Sequence, residues 1–515
     1  MRSFGGVSFV PMEYLVTTPP VITPSEPPSG AFLLAAGLRA RGVEAGLLDL
    51  SLEFFRFVFS RAPAGRGHSD AVAALALLTE NESYSPQEHR TASGMLNSVL
   101  KHYSRRFPGW RVTLMDVLPP EPVHAPGRIR NICENGDTPF TEFWNEFLLP
   151  RLEQYRPETV LVSLSYLSQL PAGIDLSILL KNLGFRVIFG GSLLNSLSRT
   201  GEGFGLVSEV LPEIASGDGS SFPGFSAEEP LLAELRWPEM PEGWNYISGR
   251  PVIPFALSTG CYWNRCLFCP DAGRGLKVFG GESLRGFLDS IPDEIMEARP
   301  VIHFIDSAVP RKPLKDALPI LKDRNMGFYT FARPEPWVAD MADELRENGC
   351  MMLQLGVESG SRRLLDLYQK GIAPETSLEA IVKCAGAGIR TYVYMLLGLP
   401  GETDEDILAT LELLRKAGKS VDFINFSIFN LPEYCELRER ASRFGIQLLE
   451  PDAPKDCIRL YRPFLHEGVN PRRSARSSIS TRFPDIPSVQ DALRRTPRWF
   501  RTSHFPLIRV PGRVN

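Results

Sequence analysis

The stretch STGCYWNRCLFCPD, Ser258–Asp271, sets Cys261, Cys266 and Cys269 within nine residues of a 515-residue chain that has eight cysteines in all. Three thiolates on one loop can bind a zinc ion, bind a cluster of iron and sulfide, or bind nothing. Structural zinc requires four closed ligands. Here there is no fourth cysteine close by, and the nearest histidine in sequence is His303. A 4Fe-4S cluster is the second option. Three of its irons would be held by this loop, and the fourth, left open, could bind a substrate. The other five cysteines, Cys133, Cys350, Cys384, Cys435 and Cys457, are scattered singly, so they do not form the framework of a disulfide-rich secreted protein.

Alternating elements must position this loop. PVIPFALSTG, PVIHFID, MGFYTFA, CMMLQLGVES, GIRTYVYMLLG and VDFINFSIF, between residues 251 and 429, read as six strands separated by helical patterns such as MADELRENG and SLEAIVKCAGAG. Repeated β/α units predict a partial or complete TIM-like (β/α)6 barrel, with function in the loops after the strands. The cysteine loop follows the first strand.

The N-terminal half alternates too. EYLVTT is a strand, PPVITPSEPPSG a loop, AFLLAAGLRARG a helix and VEAGLLDL a strand. After a mostly helical insertion over residues 55–150, the series resumes with ETVLVSLSYL, GIDLSILLKNLG and FRVIFGG. A parallel sheet binds ligands at the carboxyl ends of its strands, where Ser163, Ser165, Gly190 and Gly191 fall. SGDGSS (216–221) reads as another such turn. The expected organisation is α/β: a Rossmann-like domain over 1–230, a linker over 231–250, a barrel over 251–432 and an extension over 433–515. From Pro471 to the end there are ten arginines against two aspartates. That excess is read either as a solvated basic tail or as an anion- or substrate-binding cap.

Composition narrows the function classes. Hydrophobic residues make up 43% and charged residues 23%, as expected of a chain that folds. A net charge of -4 lacks the basic excess of a general nucleic-acid binder, so the expected partner is small. The first residues, MRSFGGVSFVPMEYLV, do not read as a signal peptide, and no apolar run is long enough for a transmembrane helix, so the expected compartment is the cytoplasm.

The cysteine loop, its barrel setting and the downstream GVESGS and GLPGET segments resemble the radical S-adenosylmethionine (SAM) enzymes. The resemblance implies that Cys261, Cys266 and Cys269 hold a 4Fe-4S cluster. SAM would chelate the open iron through its amino and carboxylate groups, and one electron would cleave it to a 5′-deoxyadenosyl radical. An electron donor such as flavodoxin or ferredoxin is implied as a partner. The family's commonest spacing is Cys-x3-Cys-x2-Cys; here Tyr262, Trp263, Asn264 and Arg265 add one residue to the first gap. By the same resemblance Phe268 packs beside the adenine, Asp306 and Ser307 stand where polar groups meet the SAM amino end, and Glu358 and Ser359 hydrogen-bond SAM. Arg333 is a candidate for the SAM carboxylate. Gly398, Pro400, Gly401 and Glu402 resemble the loop near the adenine, although GETDED also reads as the acidic first turn of a helix. The GGE at Gly280–Glu282 precedes a helical pattern and reads as a chance match to a family motif.

Residues 12–220 resemble the cobalamin-binding domain of one large radical SAM class, with Ser165-Tyr166-Leu167 and Gly190-Gly191 as its serine and glycine elements. Free-standing cobalamin domains carry Asp-x-His-x-x-Gly after the first strand. Thr17–Gly30 contains no histidine, so cobalamin would lack a histidine ligand from this loop. The resemblance implies methylation of an unactivated carbon on a small-molecule, lipid or peptide substrate. A radical cyclisation or rearrangement is the alternative, and a non-catalytic cluster sensor the rival from another class. A transfer-RNA methylthiotransferase is disfavoured, because that class needs three more cysteines in its N-terminal domain and this chain has only Cys133 there.

Overall fold

The computed structural model describes residues 12–80, 83–215, 217, 230–450 and 454–496. In the N-terminal half, β1 (Tyr14–Thr18), β2 (Ala45–Asp49), β3 (Thr159–Ser163) and β4 (Arg186–Gly190) form a parallel sheet in the order β2-β1-β3-β4. The apolar runs of β1, β2 and β3 are almost wholly buried, as strands covered on both faces require. The strand order reverses between β1 and β3, which opens a crevice at their carboxyl ends. The insertion is helical as expected, with helices at Leu50–Ser60, Arg66–Glu80, Pro86–Ser104 and Pro126–Asn135 among its elements. Its polar run contains a helix start: Ser85 and Glu88 form a reciprocal cap at the entrance to Pro86–Ser104. Of SGDGSS only Gly217 falls among the described residues.

The second half begins β5 (Val252–Phe255), β6 (Val301–Phe304), β7 (Gly327–Ala332), β8 (Cys350–Glu358), β9 (Arg390–Leu397) and β10 (Phe423–Ile428), each where the sequence pattern places it. All pair in parallel with their sequential neighbours, in the order β10-β9-β8-β7-β6-β5. Among the described residues β5 and β10 do not pair, so the sheet is open at that point, as a partial barrel is.

The arginine-rich tail covers the β10 edge. Thr496 Oγ1 accepts the Ile424 N–H at 3.0 Å, and the Arg495 guanidinium donates to the carbonyls of Asp422 and Val421. Helices Pro471–Thr481 and Pro487–Arg495 bury Ala475, Val489 and Ala492, while Phe483 and Ile486 between them enter the same core. Phe483 lies 4.5 Å from Phe426, ring to ring. The described part of the tail is therefore packed on the barrel, and its first helix lies against Gly398. Its apolar residues bury the edge, and Arg495 satisfies the carbonyls of Asp422 and Val421 there.

The two halves are packed together. Residues 230–250 form a wedge instead of a free linker: Trp237 stacks on Trp244 and meets Phe32 edge-on, and Leu47 N–H donates to Glu239 O at 2.7 Å. Glu26, from the loop after β1, is buried in the barrel. Its carboxylate lies 2.9 Å from His303 Nδ1 on β6 and accepts the Tyr329 hydroxyl from β7 at 2.8 Å, and the two rings stack at 4.2 Å. Among the described residues no helix is long and apolar enough to cross a membrane.

Phe483 is fully buried. Replacing it with Ala should cost about 3–5 kcal/mol by emptying that site. The measurement is the urea unfolding midpoint of the full chain followed by tryptophan fluorescence; a midpoint equal to that of the wild type would refute the role given to the tail.

Candidate functional site

The cysteine loop leaves β5 through a short ribbon, Ser258–Thr259 paired with Lys277–Val278, which closes its two ends together. Asp306, at the end of β6, fixes the entry. Its buried carboxylate accepts the Leu257 N–H at 3.1 Å and the Ser258 hydroxyl at 2.5 Å. Burial raises its pKa to about 6, against the opposing effect of these hydrogen bonds. Ser307 beside it is exposed.

The longer first gap has a structural use. Trp263 Nε1 donates to Gln369 O at 2.7 Å, and its ring lies over Gly371, where a Cβ would come 1.9 Å from Trp263 Cζ2. Gly371 also has φ +68°, so this position requires glycine on two counts. The Arg333 guanidinium sits 4.6 Å from the centre of the Trp263 ring. Asn264, itself at φ +50°, accepts the Gly273 N–H and holds the far side of the loop. The Cys269 N–H turns back to Cys266 O at 3.1 Å.

Three charged side chains meet beneath Cys266. Arg333, buried on the loop after β7, places Nη1 3.8 Å from Cys266 Sγ and donates through Nε to Glu335 and through Nη2 to Lys370 O. Lys370, also buried, donates from Nζ to Glu358 Oε1 at 3.0 Å. Glu358 ends β8 at φ +67°, a conformation rare outside glycine, held here by the surrounding contacts. Burial raises the Cys266 pKa while Lys370 and Arg333 pull it down; burial raises Cys269 to about 12. Arg333 is thus a support of the cysteine loop with two of its donors already engaged.

The remaining expected residues frame this centre. Phe268 meets Tyr368 edge-on at 6.2 Å, and Tyr368 also stacks on Phe444 of the extension. Leu267, Tyr368, Leu437 and Phe464 belong to a small core under the loop, and Leu437 N–H donates to Leu267 O. Ser359 is buried, with its hydroxyl 3.3 Å from Thr410 Oγ1. Gly398 N–H is held at 2.7 Å by Glu402, whose pKa burial raises to about 7. Glu402 therefore closes its own turn, while the following helix is capped by Thr403 and Asp406. Gly280–Glu282 does open a helix, with Glu282 outside the site.

All three cysteines are free thiols. Cys261 acts electrostatically on both Cys266 and Cys269, and Cys266 acts on Cys269, as thiols brought close together do. Among the described residues no three His, Cys, Asp or Glu side chains are already gathered into a metal-ligand set. The donor chemistry nevertheless fits an iron-sulfide cluster: soft thiols on one loop, with two buried cations beside them to offset the charge of thiolate ligands.

A cavity of about 220 Å³ opens at the carboxyl ends of β3 and β4. Gly30, Ser163, Gly190, Gly191 and Asn195 line it, and so does Thr259, two residues before Cys261. Gly191 has φ +108°, and a Cβ there would fall 2.4 Å from Leu164 O, so only glycine keeps the strand end this close to its neighbour. Ser165 stands beside the cavity without lining it; its N–H donates to Gln169 Oε1. Lys370, Trp263 and Glu26 were not singled out by the sequence patterns. Their roles come from contacts with residues far away in the chain, although the extra residue in the cysteine spacing did point to the Trp263 segment.

The family model described as the radical SAM superfamily matches residues 256–414. An uncharacterized methyltransferase of Pyrococcus horikoshii is 26% identical over 192 residues, 34% of this chain and 39% of its own length. A tRNA-2-methylthio-N(6)-dimethylallyladenosine synthase of Mycobacterium bovis is 26% identical over 182 residues, 32% of this chain and 35% of its own. The matches span less than half the length of these two relatives. Among solved structures, the chain is similar to the radical SAM methyltransferase TsrM from Kitasatospora setae, with cobalamin and a [4Fe-4S] cluster bound: TM-score 0.52, 16% identity, 86% of this chain and 82% of that one. It is also similar to the cobalamin-dependent SAM radical enzyme OxsB with aqua-cobalamin bound: TM-score 0.56, 14% identity, 92% of this chain and 67% of that one. Residues 256–414 thus match the radical SAM superfamily, and the chain's fold is similar to those of TsrM and OxsB.

Proposed function

We propose that this protein is a cobalamin-dependent radical SAM methylase acting on an unactivated carbon of a small-molecule, lipid or peptide substrate. The observation that carries the reading is the shared cavity: the glycine-lined strand ends of the N-terminal sheet open on Thr259, at the base of the cysteine loop. Cys261, Cys266 and Cys269 would hold three irons of a 4Fe-4S cluster, and the cavity residues Gly30, Ser163, Gly190 and Gly191 would hold cobalamin. When bound, cluster and SAM supply the adenosyl radical that removes a hydrogen atom, and cobalamin supplies the methyl group.

The chain's own residues bind, orient and insulate. Arg333 and Lys370 offset negative charge around Cys266, and Trp263 seated on Gly371 fixes the loop against the end of the barrel. Phe268 offers a half-buried aromatic face toward the expected adenine position, and Glu358 a carboxylate held by Lys370. A flavodoxin or ferredoxin is the expected electron donor. Methylthiotransfer is not favoured despite the tRNA-modifying relative, because Cys133 is the single cysteine before the cysteine loop.

Anaerobic reconstitution with iron, sulfide and hydroxocobalamin should leave about one cobalt per chain after desalting. Gly30→Leu, which projects a side chain toward Ser163, should lose the cobalt while still forming 5′-deoxyadenosine from SAM. No cobalt on the wild type, or equal cobalt on the variant, would defeat the cobalamin assignment. Cys266→Ala should abolish both iron loading and SAM cleavage, and full activity in that variant would defeat the cluster. Gly371→Ala, which collides with Trp263, should lower iron loading several-fold in a full-length, folded chain; unchanged loading would show that the Trp263 contact does not set the loop.

A further inference from the structure

A second cavity, of about 250 Å³, lies where the N-terminal domain meets the extension. Among the described residues, Arg199, Arg438, Lys455, Arg459 and Arg462 line it with one carboxylate, Glu433, while the exposed Glu450 lies 3.9 Å from Arg462 Nη1, so cations predominate in its wall in a chain whose net charge is -4. The Glu433 carboxylate is already shared: Arg438 Nε and Arg462 Nε lie 3.0 and 3.1 Å from its two oxygens, and its side chain is only 8% exposed. Lys455 is exposed at the rim.

The cavity is held in shape from three sides. Residues 454–462 are tied to the helical insertion by the Arg128–Asp456 pair at 2.7 Å and by Ile458 N–H donating to His124 O. Arg199 comes from the N-terminal domain, just beyond the helix that follows β4. It donates to Pro270 O, the carbonyl directly after Cys269, and lies 4.6 Å from the Tyr434 ring. The cavity therefore adjoins the cysteine loop. Fixed like charges around a half-enclosed space repel one another unless an anion joins them. Guanidinium forks suit the oxygens of a phosphate, and an ammonium adds a mobile point charge.

We infer that this cavity binds a phosphate-type dianionic group, and that the group is the head of the enzyme's substrate. The second half of that statement rests on the proposed radical reaction at the neighbouring loop; the first does not. Arg199, Lys455 and Arg459 would contact the anion, with Arg438 and Arg462 held in place by Glu433.

The test is calorimetric titration of the full-length chain, in chloride buffer, with inorganic diphosphate, phenyl phosphate and citrate. Diphosphate and phenyl phosphate should each bind at one site, weaken as salt rises, and weaken by about tenfold or more in Lys455→Gln and in Lys455→Gln/Arg459→Gln. Citrate should bind at least about tenfold more weakly than diphosphate. Silence from the wild type, equal binding by the variants, or citrate binding as tightly as diphosphate would overturn the site. Binding of inorganic diphosphate without phenyl phosphate would overturn the head-group assignment, because the cavity would then admit only a free ion. Lys455→Gln should keep its iron loading and SAM cleavage. Failure of the anion site and failure of the radical reaction are therefore read separately.

Discussion

The buried carboxylate of Glu26 is the contact on which the rest of the arrangement depends. A carboxylate taken out of water needs partners, and Glu26 finds them across a domain boundary, in His303 and Tyr329 of the barrel. Its loop follows β1, the central strand at which the N-terminal sheet reverses order. Seating that loop in the barrel brings the strand ends of one domain over the first loop of the other. The tryptophan wedge of residues 230–250 fills the remaining seam. From this follow the cavity that runs from Gly190 to Thr259 and the closeness of the cysteine loop to it.

Around the cysteines the chain uses charge and shape separately. Shape comes from an aromatic ring on a glycine, Trp263 on Gly371, and from Asp306 gripping the loop entry. Charge comes from Arg333 and Lys370, each buried and each tied to a carboxylate or carbonyl, so that two cations stand by Cys266 without being free to move. Such preorganisation matters where the reactive species must be kept from water and from wrong partners. The extension adds support from below through Leu437 and Phe464, and the tail closes the open edge of the barrel.

Much of this was legible in the sequence because it is local. Six strands announced themselves by β-branched and aromatic runs, and all six appear within a few residues of their expected bounds. The Cys-x4-Cys-x2-Cys spacing and the paired glycines at 190–191 are likewise features of adjacent residues. What stayed hidden is non-local. Glu26 and His303 are 277 positions apart, and nothing in the loop of one or the strand of the other signals the pairing. The cations of the second cavity come from residues 199 and 438–462, so no charge run marks them. Lys370 sits in an unremarkable turn and gains meaning only from Glu358 and Cys266. The tail misled because its ten arginines against two aspartates drew the reading toward charge, although Phe483 and Ile486 decide where it packs.

The central claim is that the cluster and cobalamin sites face each other within one chain. Its most direct test is electron paramagnetic resonance of the full chain loaded with iron, sulfide and cobalamin, with cobalt brought to its paramagnetic divalent state. The account predicts that reducing the cluster speeds relaxation of the cobalt signal and splits or broadens it through spin–spin coupling, and that Cys266→Ala removes the effect. A cobalt signal unchanged by cluster reduction would contradict the account, because it would place the two centres too far apart to act on one substrate.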